Sequence, residues 1–246
     1  GLPVPPAWSA APPAHAAERC VHELFAEQAA RTPDAPAPLA GDTVLTYAEL
    51  DARAERLAGV LRGAGVGPEA VVALGVERTP ELVLGMLAIW KAGGVHVPLD
   101  PAYPADRLRL VLEDSGAAVL LTLPELEDRF PAAGARVLYV NDGTEYEVRS
   151  TLDNTGAADG AGDEAPLRTS YSVLPTSSLA YAIYTSGSTG TPKGGGVEHR
   201  SLAAMLLATV REMGIGAGDV LPTLASHAFD ISLWETWAPL ISGAAV

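Results

Sequence analysis

Short apolar runs alternate with stretches of helical periodicity along most of the 246 residues, and no other feature restricts the fold as much. Segments 70–76, 95–97, 117–122, 136–140 and 179–184 are brief and apolar, as buried strands are. Between them lie helical patterns over 21–31, from 47 to about 63, from 80 to about 92, and over 106–114, 201–213 and 230–241. Thr46 and Glu49 have the spacing of a capping box, so a helix should carry Leu50, Ala54, Leu57, Ala58 and Leu61 on one side. Thr79-Pro80-Glu81 opens the next helix with proline in the first turn, where its missing N–H costs nothing. A further short strand is expected near 220–224, and a loop over 98–104. Strands alternating with helices predict an α/β fold of mainly parallel sheet covered by helices. The polar, glycine-containing stretch 141–170 is expected to be a mobile loop holding at most a short strand. Residues 1–19, Pro/Ala-rich at their start, have the composition of a linker.

Residues 184–194 read Tyr-Thr-Ser-Gly-Ser-Thr-Gly-Thr-Pro-Lys-Gly and follow the apolar run 179–184. Small residues let a backbone wrap closely around a bulky anion, and hydroxyls with successive N–H groups supply donors. The expectation is a strand delivering a phosphate-holding loop. It is not the P-loop of kinases and GTPases, which requires Gly-Lys-Ser/Thr at its end; here Thr191-Pro192 precede Lys193, and Gly194 follows it. Nor do Gly187, Gly190 and Gly194 have dinucleotide-fold spacing. A plain Gly/Ser/Thr linker is the dull alternative, and the preceding strand with Pro192-Lys193-Gly194 argues against it.

Composition narrows the partners. With 16 basic against 30 acidic residues the formal charge is −14, which disfavours nucleic acid and anionic membrane. Lys91 and Lys193 are the only lysines, so Lys193 is not part of a general basic surface. The single cysteine, Cys20, allows no internal disulfide and suits a cytoplasmic setting. No run is apolar for long enough to span a bilayer. Neither the five histidines nor Cys20 shows metal-ligand spacing, and no nucleophile elbow is present.

The loop at 184–194 resembles the phosphate-binding motif of the adenylate-forming (AMP-binding) superfamily, in particular the adenylation domains of nonribosomal peptide synthetases. Three more segments match in the family's order. They are Leu45-Thr46-Tyr47-Ala48-Glu49-Leu50 with Ala54, Leu57 and Ala58; Lys91-Ala92-Gly93-Gly94 through Val97-Pro98-Leu99-Asp100-Pro101, Tyr103-Pro104 and Arg107-Leu108; and Phe229-Asp230-Ile231-Ser232-Leu233-Trp234-Glu235. The resemblance implies that residues 20–246 form the N-terminal part of an adenylation domain, incomplete at its C-terminal end.

It further implies ATP-dependent activation of an amino acid as its adenylate, with pyrophosphate release. The acyl group then passes to a carrier-protein thiol in a multidomain synthetase. Thr185, Ser186, Gly187, Ser188, Thr189, Gly190 and Lys193 would hold the ATP phosphates, with Lys193 and Thr189 the catalytic candidates. Asp230 would receive the substrate's α-ammonium, although aspartate at a helix start is also an ordinary N-cap. Ile231 and Trp234 would wall the side-chain pocket, and His227 would touch substrate or nucleotide. Mg2+ would be required, its main protein ligand expected beyond Val246. Trp237 and Ile241 have the spacing of a buried helix face, and His199 reads best as a surface or capping residue. Gly195 and Gly196 stand where relatives carry larger apolar residues, which should weaken the following strand. The isolated chain would lack full activity. The rival functions are an acyl- or aryl-acid CoA ligase, which needs no partner for an ammonium, and a non-catalytic nucleotide-binding fragment.

Overall fold

The computed structural model describes residues 18–41, 43–131, 133–140, 148–149, 174–186 and 192–246. Helix α1 (Val21–Arg31) leads into an antiparallel ribbon of β1 (Pro36–Ala40) and β2 (Thr43–Thr46). Then come α2 (Tyr47–Gly63), β3 (Val71–Gly75), α3 (Pro80–Ala92), β4 (Val95–Pro98), α4 (Ala105–Ser115) and β5 (Val119–Thr122). Beyond a 3-10 turn at Pro124–Arg129 lie β6 (Arg136–Tyr139), β7 (Val148–Arg149), β8 (Leu179–Ser186), β9 (Pro192–Glu198), α5 (His199–Met213) and α6 (Ile231–Leu240).

Seven strands form one sheet in the order β7-β6-β5-β3-β4-β8-β9. The central five are parallel, and β7 and β9 add antiparallel edges. Alternate residues of β3, β5 and β6 enter different cores, as the two-residue period of a strand requires. Val72, Leu74, Val119, Leu121, Leu138 and Ile183 join the core beneath α1, α2, α3, α5 and α6. Ala73, Leu120, Val137 and Tyr139 join the core beneath α4 and Phe130. Burial on both faces is what makes these runs continuously apolar.

Local chemistry sets the ends of the elements. The Thr46 hydroxyl accepts from the Glu49 amide at 3.2 Å, and the Glu49 carboxylate accepts from the Thr46 amide at 2.8 Å. That is the reciprocal cap expected at the start of α2. Gly93, at φ +89°, ends α3 in a left-handed conformation that an L side chain rarely adopts. Aromatic packing joins the helices of the larger core: Phe25 stacks on Tyr47, with centroids 5.4 Å apart, and Trp90 and Trp237 lie 4.7 Å apart. The Trp90 indole N–H donates to the Ala180 carbonyl at 2.7 Å, tying α3 to β8. Trp237 and Ile241 are buried on the helix face where their spacing puts them.

Three sequence expectations are corrected. No strand forms over 220–224; a single bridge joins Val220 to Ala245, and the Leu224 and Ala225 amides donate instead to the Glu235 carboxylate, both at 2.9 Å. His199 is neither exposed nor a surface cap. It opens α5 fully buried, edge-on to Trp90 and to His22. Strand β8 extends past Tyr184 to include Thr185 and Ser186, which were expected in the loop. Of the predicted mobile stretch 141–170, only β7 falls among the described residues.

Candidate functional site

Pairing between β8 and β9 builds the site. Tyr181 faces Val197, Ile183 faces Gly195, and Thr185 faces Lys193 across the antiparallel ladder. Being two apart, these pairs present their side chains on one face of the sheet. That face and the turn leading into α6 enclose a cavity of about 370 Å³ lined by Thr185, Lys193, Phe229 and Asp230 among others. At Gly195 the atom nearest to where a side chain would begin is the Ile183 carbonyl oxygen, 4.0 Å away, so the cavity floor is left open. Gly194 and Gly196 alternate to the far face, where an added Cβ would come within 3.0 Å of Tyr184 and Leu179. The glycine run does not prevent β9 from forming from Pro192 to Glu198; on the far face Gly194 and Gly196 leave little room for a side chain.

Asp230 holds the N-cap position of α6, yet its backbone is already helical at φ −60°, ψ −32°, and its carboxylate caps no amide. A capping side chain normally springs from an extended residue. The exposed carboxylate therefore remains available at the cavity wall. It is felt by Tyr181, whose phenol is held above its usual pKa first by burial and then by the Asp230 charge. The β8–β9 ladder supplies a cation and a hydroxyl to this cavity and the start of α6 a carboxylate, a set of groups suited to a ligand with an anionic tail and an ammonium.

A second cavity of about 510 Å³ adjoins the first, sharing Tyr181, Val197 and Asp230. Its other walls are Ser201, Leu202, Met205, Ile231 and Trp234, so it is mostly apolar. Ile231 and Trp234 thus line this cavity together with Asp230. The α5 wall was missed, although Ser201, Leu202 and Met205 show a helical spacing that marks one face.

His227 is placed elsewhere. It is 4% exposed and lines a third cavity, with Glu77, Arg78, Thr79, Asp100 and Ser226. Burial lowers its pKa, against an opposing pull from the Leu99 backbone and Asp100. Asp100 accepts from the Ser226 hydroxyl at 2.7 Å; that bond and one from the Ala102 amide hold its carboxyl low although burial acts the other way. His227 packs against the second motif rather than facing Asp230. Gly187, Ser188, Thr189 and Gly190 lie outside the described residues, and Ser186 is described only through its backbone pairing with Pro192.

Magnesium favours clustered oxygen ligands. Among the described residues no group of three or more carboxylates gathers at these cavities. No step is assigned through the ion.

Residues 25–246 match the AMP-binding enzyme family. The chain is 40% identical over 232 residues to tyrocidine synthase 3 of Brevibacillus parabrevis, covering 94% of this chain and 3% of that protein. It is 39% identical over 224 residues to the dimodular nonribosomal peptide synthase of Bacillus subtilis, covering 91% of this chain and 9% of that one. The chain thus spans a small part of the length of these curated relatives. Among solved structures, the nonribosomal peptide synthetase FmoA3 in its AMPPNP-bound form superposes with a TM-score of 0.76 at 33% identity, over 93% of this chain and 22% of that chain. The N-terminal subdomain of Klebsiella oxytoca NpsA with 3-hydroxybenzoyl-AMSN gives 0.75 at 28% identity, over 95% and 54%. With the family matched over nearly the whole length and the sheet, helices and cavities arranged as described, the chain belongs to the AMP-binding enzyme family.

Proposed function

We propose that this chain is the N-terminal portion, residues 20–246, of an adenylation domain that activates an amino acid with ATP for loading onto a carrier protein in nonribosomal peptide synthesis. One observation carries the reading: Thr185, Lys193 and the uncapped Asp230 line the same cavity, and an apolar cavity opens beside Asp230. Lys193 and the Thr185 hydroxyl bind the phosphates, with Ser186, Gly187, Ser188, Thr189 and Gly190 completing the cradle through hydroxyls and amides. Asp230 receives the α-ammonium and fixes the substrate's orientation. The substrate carboxylate then attacks the α-phosphorus and pyrophosphate leaves. Such chemistry depends chiefly on positioning and charge stabilisation, which is what these residues contribute. Ile231, Trp234 and Met205 form an apolar wall, which suits an uncharged substrate side chain.

The similarity to nonribosomal peptide synthetases supports a multidomain setting, with carrier and neighbouring domains as partners, and the proposed location for such an assembly is the cytoplasm. No helix among the described residues is long and apolar enough to cross a membrane. The structural neighbour solved with an aryl-adenylate analogue makes aryl-acid activation the reading to test against. ATP–pyrophosphate exchange by the full-length protein, with panels of amino acids and of aryl and fatty acids, separates them. Exchange dependent on an amino acid is expected; exchange driven only by acids lacking an α-amine refutes the proposal.

A further inference from the structure

On the helix-rich side of the sheet, where α1 and α5 begin, the fold brings together three side chains distant in sequence. Cys20 and His199 are fully buried and His22 is half-buried. One potential ligand atom from each, a sulfur and two ring nitrogens, lies within 4.8 Å of the other two. None of the three lines the cavities described above. The ring nitrogens are poorly satisfied: Nδ1 of His22 and both nitrogens of His199 are buried without a hydrogen-bond partner. An unpaired buried polar group costs about 1–3 kcal/mol, so three in one place are unusual unless something else binds them. The rings are fixed by packing, His199 standing edge-on to Trp90 at 5.7 Å and to His22 at 5.5 Å.

We propose that Cys20, His22 and His199 bind a single soft divalent cation, Zn2+, which clamps the start of α1 to the start of α5. One thiolate and two imidazoles are a donor set that zinc favours and that magnesium or calcium does not. With Zn–S near 2.3 Å and Zn–N near 2.0–2.1 Å, tetrahedral ligands stand about 3.3–3.6 Å apart, so the three must close in by about 1 Å. Imidazole ligates through an unprotonated ring nitrogen, and each histidine has at least one such buried nitrogen without a partner. The thiol gives up its proton to solvent as the Zn–S bond forms. The Cys20 S–H donates to the Leu174 carbonyl at 3.7 Å, a contact that the Zn–S bond would replace.

The surrounding charge suits a dication. Glu23 faces Cys20, and Lys91 and Glu55 face His22. Lys91 is paired with Asp51 at 3.0 Å and with Glu55 at 3.1 Å, and Arg62 also binds Glu55. Three carboxylates against two cations leave one negative charge, and the thiolate makes it two, which Zn2+ neutralises. Because His199 directly follows β9, the strand carrying Lys193, the clamp anchors the far end of the strand that delivers the cation of the main cavity.

Cobalt titration of the full chain, stripped with chelator and kept reduced, tests the site. One Co2+ should bind per chain with a thiolate-to-cobalt charge-transfer band, be displaced by one Zn2+, and raise the melting temperature. Cys20→Ala, a small apolar replacement in a buried position, should abolish the band. His22→Gln, at a position less completely buried than Cys20, should weaken binding at least about ten-fold and decides the matter if the cysteine variant does not fold. A wild-type chain that gives no band and retains no zinc overturns the proposal, as does a folded Cys20→Ala chain that binds as tightly as wild type.

Discussion

Asp230 is available to a ligand because of two backbone angles. The residue type and the helix start were legible in the sequence, where an aspartate before an apolar helix predicts a cap. What was not legible is the turn ahead of it, in which the Phe229 amide donates to the Ser226 carbonyl and leaves Asp230 already helical. A cap and a ligand-binding carboxylate have the same sequence signature, and only that turn distinguishes them. His199 was misread for a related reason: Trp90 and His22, which bury it, come from remote segments. His227 lies three residues from Asp230 and yet lines another cavity, because the same turn separates the two. Tyr47, by contrast, tests packing. Its fully buried hydroxyl donates to the Ala244 carbonyl at 2.7 Å. Tyr47→Phe leaves that carbonyl without this donor and should cost about 1–3 kcal/mol by urea denaturation; an unchanged midpoint would show the bond contributes nothing.

The βα alternation fixed most of the elements in advance: α1 begins and ends where its periodicity does, and the capping box at Thr46 forms as spaced. Thr46→Ala should therefore lower stability by about 1 kcal/mol, read as a shift in denaturant midpoint with unchanged slope. The expected strand at 220–224 goes no further than one bridge, in which the Leu221 amide donates to the Ala245 carbonyl, because the Leu224 amide turns to the Glu235 carboxylate. Glycines 194–196 promised a weak strand, but sequence does not reveal which face each one meets. Gly195 has open space and the other two do not. Gly195→Ala should thus be neutral or stabilise by about 0.4–1 kcal/mol through the unfolded chain. Gly194→Ala and Gly196→Ala should destabilise, each pressing a Cβ against Tyr184 or Leu179. Equal effects at all three sites would contradict the assigned register.

Across the molecule, buried histidines set the response to acid. Burial lowers His22 and His96 from 6.5 to about 3 and His199 to about 4, with neighbouring charges contributing at His22 and His96. Each is neutral when folded, whereas the unfolded chain takes up protons below its ordinary pKa. Their contribution is therefore complete above pH 6.5 and is lost as pH falls from there towards 4 and 3. Urea midpoints measured with chelator present should hold steady above pH 7 and fall steeply below 6.5. His96, buried in β4 with neither nitrogen partnered, should carry part of that slope, so that His96→Leu flattens it. The two cores on either face of the sheet were foreseeable from the apolar runs; the gathering of Thr185, Lys193 and Asp230 was not, because it requires the pairing of β8 with β9 and the docking of α6. That gathering is tested most directly by exchange kinetics on the full-length protein. Lys193→Ala should raise the KM for ATP roughly ten-fold or more, as loss of a charge-assisted contact of about 1.5–3 kcal/mol would. Asp230→Ala should abolish amino-acid-dependent exchange while ATP binding, measured by calorimetry, persists. If neither substitution alters exchange, or both weaken only ATP binding, the two side chains do not hold the two ends of one reaction.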